Sequence, residues 1–472
     1  MNPRYVIAAP SSGSGKTTFT MGLLRALTDR GLHVQPYKCG PDYIDTIFHQ
    51  MASGRESVNL DTFMASPEHV KQLFEHYSAQ ADACVVEGAM GLYDGYEKSR
   101  GSAAEIARLL GLPMVLVVDA KSMGYSVAAL LHGIKTFKPI NLAGVVFNRV
   151  GSESHYRHLL AACEDVGVQS LGYLPNNPEL RMPSRHLGLS LSGREEIERF
   201  ICLAAGEVAE HVDVERLMEK VQRSDCQTNR LTDKSRLSDY QTNRLADNSP
   251  RAEPPTEHSS VSLEVCKSDS LSNEVCPSKR IAVARDEAFN FTYRANIDSL
   301  RAMGEVTFFS PLNDSSLPPC DLLYLPGGYP ELFASELAAN SGMRRSIKAY
   351  AEQGGRVIAE CGGFMYLCSA IDGVEMCGVL PFKATMEGAR LHLGYRQITL
   401  DGISLRGHEF HYSTVHEGAL PNHVKAIKGQ CSALGKPVDT PVYRYKNVLA
   451  GYTHWYWAET GIETWLNMNS KS

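Results

Sequence analysis

The sequence predicts an α/β protein made of two doubly wound domains. Three observations carry that expectation. Short β-branched apolar runs alternate with helical stretches in two separate parts of the chain. The first part holds a glycine-rich loop, Pro10-Ser11-Ser12-Gly13-Ser14-Gly15-Lys16-Thr17-Thr18, set between a strand and a helix. The second holds a cysteine in a glycine-lined turn, Glu360-Cys361-Gly362-Gly363. Alternation of this kind marks parallel sheets covered by helices on both faces.

In the first part, residues 1–220, buried parallel strands are expected at 5–9, 34–38, 83–87, 114–119 and 142–147. All but 34–38 are short, apolar and rich in valine or isoleucine. A helix is expected to start near Lys16. Residues 221–279 differ sharply, being rich in Ser, Asp, Asn, Thr, Lys and Arg and poor in aromatics. Gln227-Thr228-Asn229-Arg230-Leu231 recurs as Gln241-Thr242-Asn243-Arg244-Leu245, and Glu264-Val265-Cys266 recurs as Glu274-Val275-Cys276. Such composition cannot bury enough apolar surface to order itself, so a disordered linker is expected. From Arg280 to Ser472 the alternation resumes. Strands are expected at 281–284, 306–309, 322–325 and 356–360, with helices at about 340–353 and after Cys361.

The bulk numbers narrow the class. A chain of 472 residues is too long for one core, so two or three domains are expected. The net charge of -6 gives no reason to expect nucleic acid or a membrane surface as partner. No stretch approaches the ~20 apolar residues of a membrane span. The twelve cysteines form no close metal-type pairs and sit mostly singly in apolar runs. A reduced, cytoplasmic setting is the expectation.

The loop at 10–18 has the chemistry of a phosphate site. Its glycines let backbone N–H groups curl towards phosphate oxygens, and the helix N-terminus adds partial positive charge. Ser12, Gly13, Ser14, Gly15, Lys16, Thr17 and Thr18 are the candidate ATP contacts. Lys16 is expected on the outer phosphates and Thr17 on Mg²⁺. Asp42 and Asp45 follow the second expected strand, Glu87 ends the third, and Asp94 follows soon after. Carboxylates at successive strand ends suit a metal-phosphate site. The candidate metal ligands are Thr17, Asp45 and Glu87.

Cys361 sits where a strand turns sharply into a helix, which exposes a nucleophile above the sheet. The helix N-terminus is expected to lower its thiol pKa. Gly362, with Gly327 and Gly328 from Pro326-Gly327-Gly328-Tyr329-Pro330-Glu331, can bring N–H groups to an oxyanion. A base is needed, and spacing leaves His408, His411 and His454 open.

Taken together these motifs resemble one family. The loop at 9–18, Lys38-Cys39-Gly40-Pro41-Asp42-Tyr43-Ile44-Asp45 and Val86-Glu87-Gly88-Ala89-Met90-Gly91-Leu92-Tyr93-Asp94-Gly95 resemble the synthetase half of the cobyrinate a,c-diamide synthases. Asp286-Glu287-Ala288-Phe289-Asn290-Phe291, the 326–331 run and the Cys361 and His454 motifs resemble its glutaminase half. The match spans nearly all the chain outside 221–279. Pro10 belongs to this family's loop. Tyr456 stands where relatives often carry a second histidine, and Thr292 where an aromatic is common.

The resemblance implies a dethiobiotin-synthetase-like P-loop domain and a class I glutamine amidotransferase domain of flavodoxin-like type. It implies an ATP- and Mg²⁺-dependent ligase of cobalamin biosynthesis. Glutamine would be hydrolysed at Cys361 with His454 as base. The ammonia would amidate the a and c acetates of cobyrinate through acyl phosphates. Lys38, Asp42, Tyr43, Asp45 and Asp94 are the expected substrate and acyl-phosphate residues. Lys38, Arg149, Arg181 and Arg185 are candidate contacts to the polyanionic corrin. A homodimer is compatible with the sequence. The alternatives are the same chemistry on hydrogenobyrinate or nickel-sirohydrochlorin, and a non-catalytic P-loop switch.

Overall fold

The computed structural model describes residues 2–182, 191–219, 279–400, 402–416 and 421–462. Arg185 and all but the last residue of the expected 221–279 linker lie outside the described residues.

The first half is one seven-stranded sheet. Its strands are β1 (Arg4–Ala8), β2 (Val34–Cys39), β3 (Val58–Leu60), β4 (Ala83–Glu87), β5 (Met114–Asp119), β6 (Leu142–Val150) and β7 (Ser170–Pro175). They lie in the order β3-β2-β4-β1-β5-β6-β7, all parallel. Every residue of β2 and β4 is buried, as expected for strands covered on both faces. β1 lies between β4 and β5, so the chain leaves it on one side and returns on the other. Ligands bind at such a switch point, outside the carboxyl ends of the strands. β6 runs three residues past its expected end at 147. That extension carries Asn148 and Arg149 to the ligand edge.

The second half has its own seven-stranded sheet. β8 (Lys279–Ala284), β9 (Gly304–Phe309), β10 (Leu322–Leu325) and β11 (Arg356–Glu360) pair in parallel in the order β9-β8-β10-β11. Val448–Gly451 continues in parallel beside β11. Val442–Tyr445 and Val424–Ile427 close the sheet antiparallel. The sequence reading did not anticipate the hairpin of His392–Leu400 and Ile403–His411, which pairs with His454–Tyr456.

The halves are packed together. One apolar cluster takes Val6, Leu60 and Phe63 from the first half with Phe291, Tyr293 and Tyr456 from the second. Polar contacts frame it. Tyr395 donates to Asp61 at 2.6 Å, Tyr77 to Asp298 at 2.7 Å and Arg406 to the Phe63 carbonyl at 3.1 Å. Tyr456, at the position noted for a second histidine, meets His69 of the first half at 3.0 Å.

Candidate active site

The phosphate loop leads from β1 into α1 (Lys16–Thr28). Gly15 caps α1 at φ 96°, a left-handed conformation that favours glycine. A side chain there would also collide with Asn148, whose Nδ2 would lie 1.9 Å from the added carbon. Asn148 in turn donates to the Ser14 carbonyl at 3.0 Å and so holds the loop. No side chain caps α1, and its first turn has no acidic residue. Its first N–H groups are therefore left for a ligand, beside the positive end of the helix dipole.

The loop forms one wall of a cavity of about 890 Å³. Ser12, Gly13, Gly15, Lys16, Thr17 and Thr18 line it, as do Lys38, Asp42, Asp45 and Glu87. Ser14 turns inward and bonds the Ser11 carbonyl at 2.9 Å. Lys16 Nζ donates to the Met90 carbonyl at 2.5 Å. Burial lowers its pKa, with Glu87 and Asp45 opposing. Asp94 does not line the cavity. It accepts from Gly91 N at 3.1 Å and closes its own turn.

Behind the loop is a buried ionic cluster. Lys38 Nζ lies 2.6 Å from Asp45 Oδ2 and 2.9 Å from Glu87 Oε1, with all three side chains at most 3% exposed. Thr17 donates to Glu87 Oε1 at 2.7 Å, and His49 Nε2 meets Glu87 Oε2 at 2.6 Å. Burial opposes the charge on Lys38, but Asp45 and Glu87 outweigh it and hold its pKa above the ordinary value. Burial likewise works against the Glu87 anion. Lys38, His49 and Thr17 reverse this and keep it ionised. Burial raises Asp45 to about 6, against the pull of Lys38. This placement corrects one expectation. Lys38 is enclosed by two carboxylates and is not a free cation for a corrin. Arg149 pairs with Asp119 at 2.5 Å and donates to the Gly13 carbonyl at 3.2 Å, so it braces the phosphate loop.

Cys361 follows β11 at φ 48° and ψ -105°, a strained backbone for a residue with a side chain. Gly362 and the 327–328 loop are in backbone contact. A Cβ on Gly362 would lie 2.9 Å from Gly328 N, and one on Gly327 would lie 2.2 Å from the His454 ring. The two glycine loops, Cys361 and His454 are thus brought together. His408 pairs with His454 across the ladder, and His411 bonds to Glu409.

One electrostatic expectation is corrected. The helix after Cys361, Gly362–Leu367, has only six residues. The thiol is 4% exposed. Burial pushes its pKa well up, and the Glu331, Glu409 and Glu360 carboxylates add to that. Desolvation outweighs the helix terminus, which favours the protonated thiol. Burial, then His408 and His411, lower His454 to about 3. Its imidazole is therefore neutral and able to accept a proton. Its Nδ1 has no hydrogen-bond partner among the described residues.

Tyr43 was expected at the phosphate side. Its ring instead lies 5.0 Å from that of His454 and stacks on Phe291 at 5.2 Å. Its neighbours in sequence, Asp42 and Asp45, line the phosphate cavity. Residues 42–45 therefore reach both centres.

Glu360, next to the nucleophile, was not singled out from sequence. It is buried and accepts from Trp455 N at 3.0 Å and Tyr324 at 2.8 Å. Burial pushes its carboxyl up to about 8, and the two donors offset only part of that. The native state thus holds a proton that the unfolded chain releases near 4.5. The native state is destabilised as pH rises between those values. Glu360→Gln cannot ionise and still offers Trp455 an acceptor. Its melting temperature is expected to vary less than the parent's between about pH 5 and 8. Parallel melting curves would contradict this.

Comparison with known proteins agrees with this layout. Residues 5–189 match the CobQ/CobB/MinD/ParA nucleotide binding domain, and residues 280–461 match the CobB/CobQ-like glutamine amidotransferase domain. The chain is 40% identical to a hydrogenobyrinate a,c-diamide synthase of Streptomyces coelicolor, over 98% of this chain and 96% of that one. The chain belongs to the a,c-diamide synthase family. A cobyrinate a,c-diamide synthase of Dehalococcoides mccartyi is also 40% identical, over 96% of this chain and 94% of its own. One from Streptococcus sanguinis is 37% identical, over 98% of both. Like these a,c-diamide synthases, the chain joins a nucleotide-binding domain to an amidotransferase domain. Among the described residues no helix is long and apolar enough to cross a membrane.

Proposed function

We propose that this chain converts the a and c acetate carboxylates of cobyrinate, or of cobalt-free hydrogenobyrinate, to amides at the expense of ATP and glutamine. One observation supports this above others. A phosphate cavity and a cysteine elbow sit in one packed unit, with residues 42–45 reaching both. A non-catalytic switch has no use for a strained cysteine held beside two glycine loops and a neutral histidine.

The chemistry follows from the groups present. A carboxylate is a poor electrophile. Attack of its oxygen on the γ-phosphorus of ATP releases ADP and leaves an acyl phosphate. The N–H groups of 12–18 and Lys16 stabilise the charge on the transferring phosphoryl group. Asp45 Oδ1 is buried without a hydrogen-bond partner among the described residues, and Thr17, Asp45 and Glu87 line the cavity. These three fit Mg²⁺, which would be expected to neutralise phosphate charge when bound. Arg181 and Lys121 line the same cavity and offer positive charge to a polycarboxylate.

At the other centre, His454 takes the Cys361 proton as sulfur attacks the glutamine amide carbon. N–H groups of the glycine loops receive the oxyanion. The C–N bond breaks, the leaving nitrogen takes up the proton and departs as ammonia, and water releases glutamate from the thioester. Ammonia displaces phosphate from the acyl phosphate to give the amide. Tyr43, Phe291 and Tyr293 pack ring against ring beside His454, and an apolar lining of that kind would shield the ammonia from bulk water.

The test is to incubate the protein with ATP, Mg²⁺, glutamine and cobyrinate and follow product mass. Two successive changes of about one mass unit, each an OH replaced by NH₂, are expected. ADP and glutamate should accumulate in step. ATP hydrolysis without a mass change would exclude cobyrinate and move the test to hydrogenobyrinate and nickel-sirohydrochlorin.

A further inference from the structure

The hairpin beside Cys361 carries a buried charged cluster that takes no part in the proposed reaction. His411 Nδ1 lies 2.7 Å from the Ser413 carbonyl oxygen. A carbonyl only accepts, so Nδ1 bears a proton. His411 Nε2 lies 3.0 Å from Glu409 Oε1. The other Glu409 oxygen takes the Arg396 Nε–H. Burial would push the Glu409 carboxyl up, yet His411 and Arg396 outweigh it and hold it below its ordinary value. The Arg396 guanidinium paired with it favours the ionised carboxylate, which only accepts, so Nε2 bears a proton as well.

The cluster is buried, with the His411 side chain 6% exposed and that of Glu409 fully enclosed. Its charges are therefore weakly screened. The His411 ring stacks on Tyr452 at 3.7 Å and on His392 at 4.8 Å, both within 4° of parallel. An electron-rich phenol face stabilises a cationic ring. Burial, then His411, lowers His392, which leaves that neighbour neutral. The charged and titratable groups facing His411 are thus His392, Arg396 and Glu409 of the hairpin, Tyr452 and His454 of the C-terminal strands, and Cys361.

The cluster bears directly on the nucleophile. Phe410, between Glu409 and His411, turns its carbonyl to the Cys361 thiol at 4.0 Å. Ser413, whose carbonyl accepts from His411 Nδ1, donates from its hydroxyl to Tyr452 at 3.1 Å. Tyr452 lies two residues before His454. We infer that His411 is held as a doubly protonated imidazolium and is a positioning residue for glutamine hydrolysis, tying the Phe410 carbonyl and the 452–454 segment in place around Cys361. This rests on reading Cys361 as the glutaminase nucleophile. The protonation state itself does not depend on which corrin is the acceptor.

The first test is nitrogen NMR of the full chain with ¹⁵N-labelled histidine. The His411 signal is assigned by its loss in His411→Gln or, should that variant not fold, by its shift in Glu409→Gln. Two proton-bearing ring nitrogens at neutral pH are expected. A single one would overturn the inference. The second test is a double-mutant cycle. His411→Gln and Glu409→Gln are each expected to lower kcat/KM for glutamine about tenfold or more, and the double variant no further than the worse single. Amidation driven by added ammonium should stay within about twofold of the parent, since that step does not need Cys361. Additive losses, or equal losses with ammonium, would also overturn it.

Discussion

Cys361→Ala is expected to lower glutamine-dependent amidation by about 1,000-fold or more and to leave ammonium-dependent amidation largely intact. The substitution removes the sulfur proposed to form the thioester, and no other described thiol is placed to replace it. Cys368 and Cys377 are buried, and burial pushes both thiols up. The phosphate cavity lies in the other half, and its groups make no bond to Cys361. Steady-state rates with each nitrogen source check this. A variant that loses both activities, while still folded, would show that the two centres are not separable.

Lys38→Met is expected to act in the opposite pattern, with both nitrogen sources failing. Lys38 is the cation that Asp45 and Glu87 share inside the protein. Removing one partner from a buried ionic cluster leaves uncompensated charge and costs about 3–5 kcal/mol. Glu87 would keep His49 and Thr17, but Asp45 would lose the one cation it pairs with among the described residues. Asp45 would then sit neutral or displaced, and the metal-phosphate side of the cavity would lose its arrangement. Urea denaturation and rates with glutamine and with ammonium check the two halves of this expectation. A stability change below about 1 kcal/mol would mean that water relieves the cluster more than its burial indicates.

These two sites differ in how far the sequence alone reveals them. The phosphate loop is legible because its chemistry demands glycines, a lysine and threonines in consecutive positions. The cysteine elbow is legible because a strained turn needs small neighbours, here Gly362 and Gly363. The parallel strands are legible because burial on both faces leaves unbroken apolar runs. Asn148 is different. It holds Ser14 from 134 residues away, and no local pattern reports a contact of that span. His49 carried a usable signal, since it lies four residues after Asp45 on α2 (Ile44–Ser53) and so on the same helical face. Tyr43 was legible as part of a motif but not in its direction. Its ring faces His454 because the second half packs over the start of α2.

The thiol shows where local reasoning gives the wrong sign. A helix N-terminus favours a thiolate, but here the helix is short and the site is closed and ringed by carboxylates. Desolvation then decides the protonation state. In the proposed reaction His454 would therefore take the thiol proton during attack rather than beforehand. The neutral imidazole of His454 suits that role.

Coupled centres require transfer of nitrogen from one to the other within this chain. The direct measurement is to supply glutamine labelled with ¹⁵N in its side-chain amide, together with ATP, Mg²⁺, cobyrinate and excess unlabelled ammonium, and to read the isotope in the product amides. Label in both new amides, at a level well above its share of the bulk ammonia pool, is the predicted result. Product whose isotope content matches the bulk pool would contradict it, because the nitrogen would then have reached the acyl phosphate through solvent.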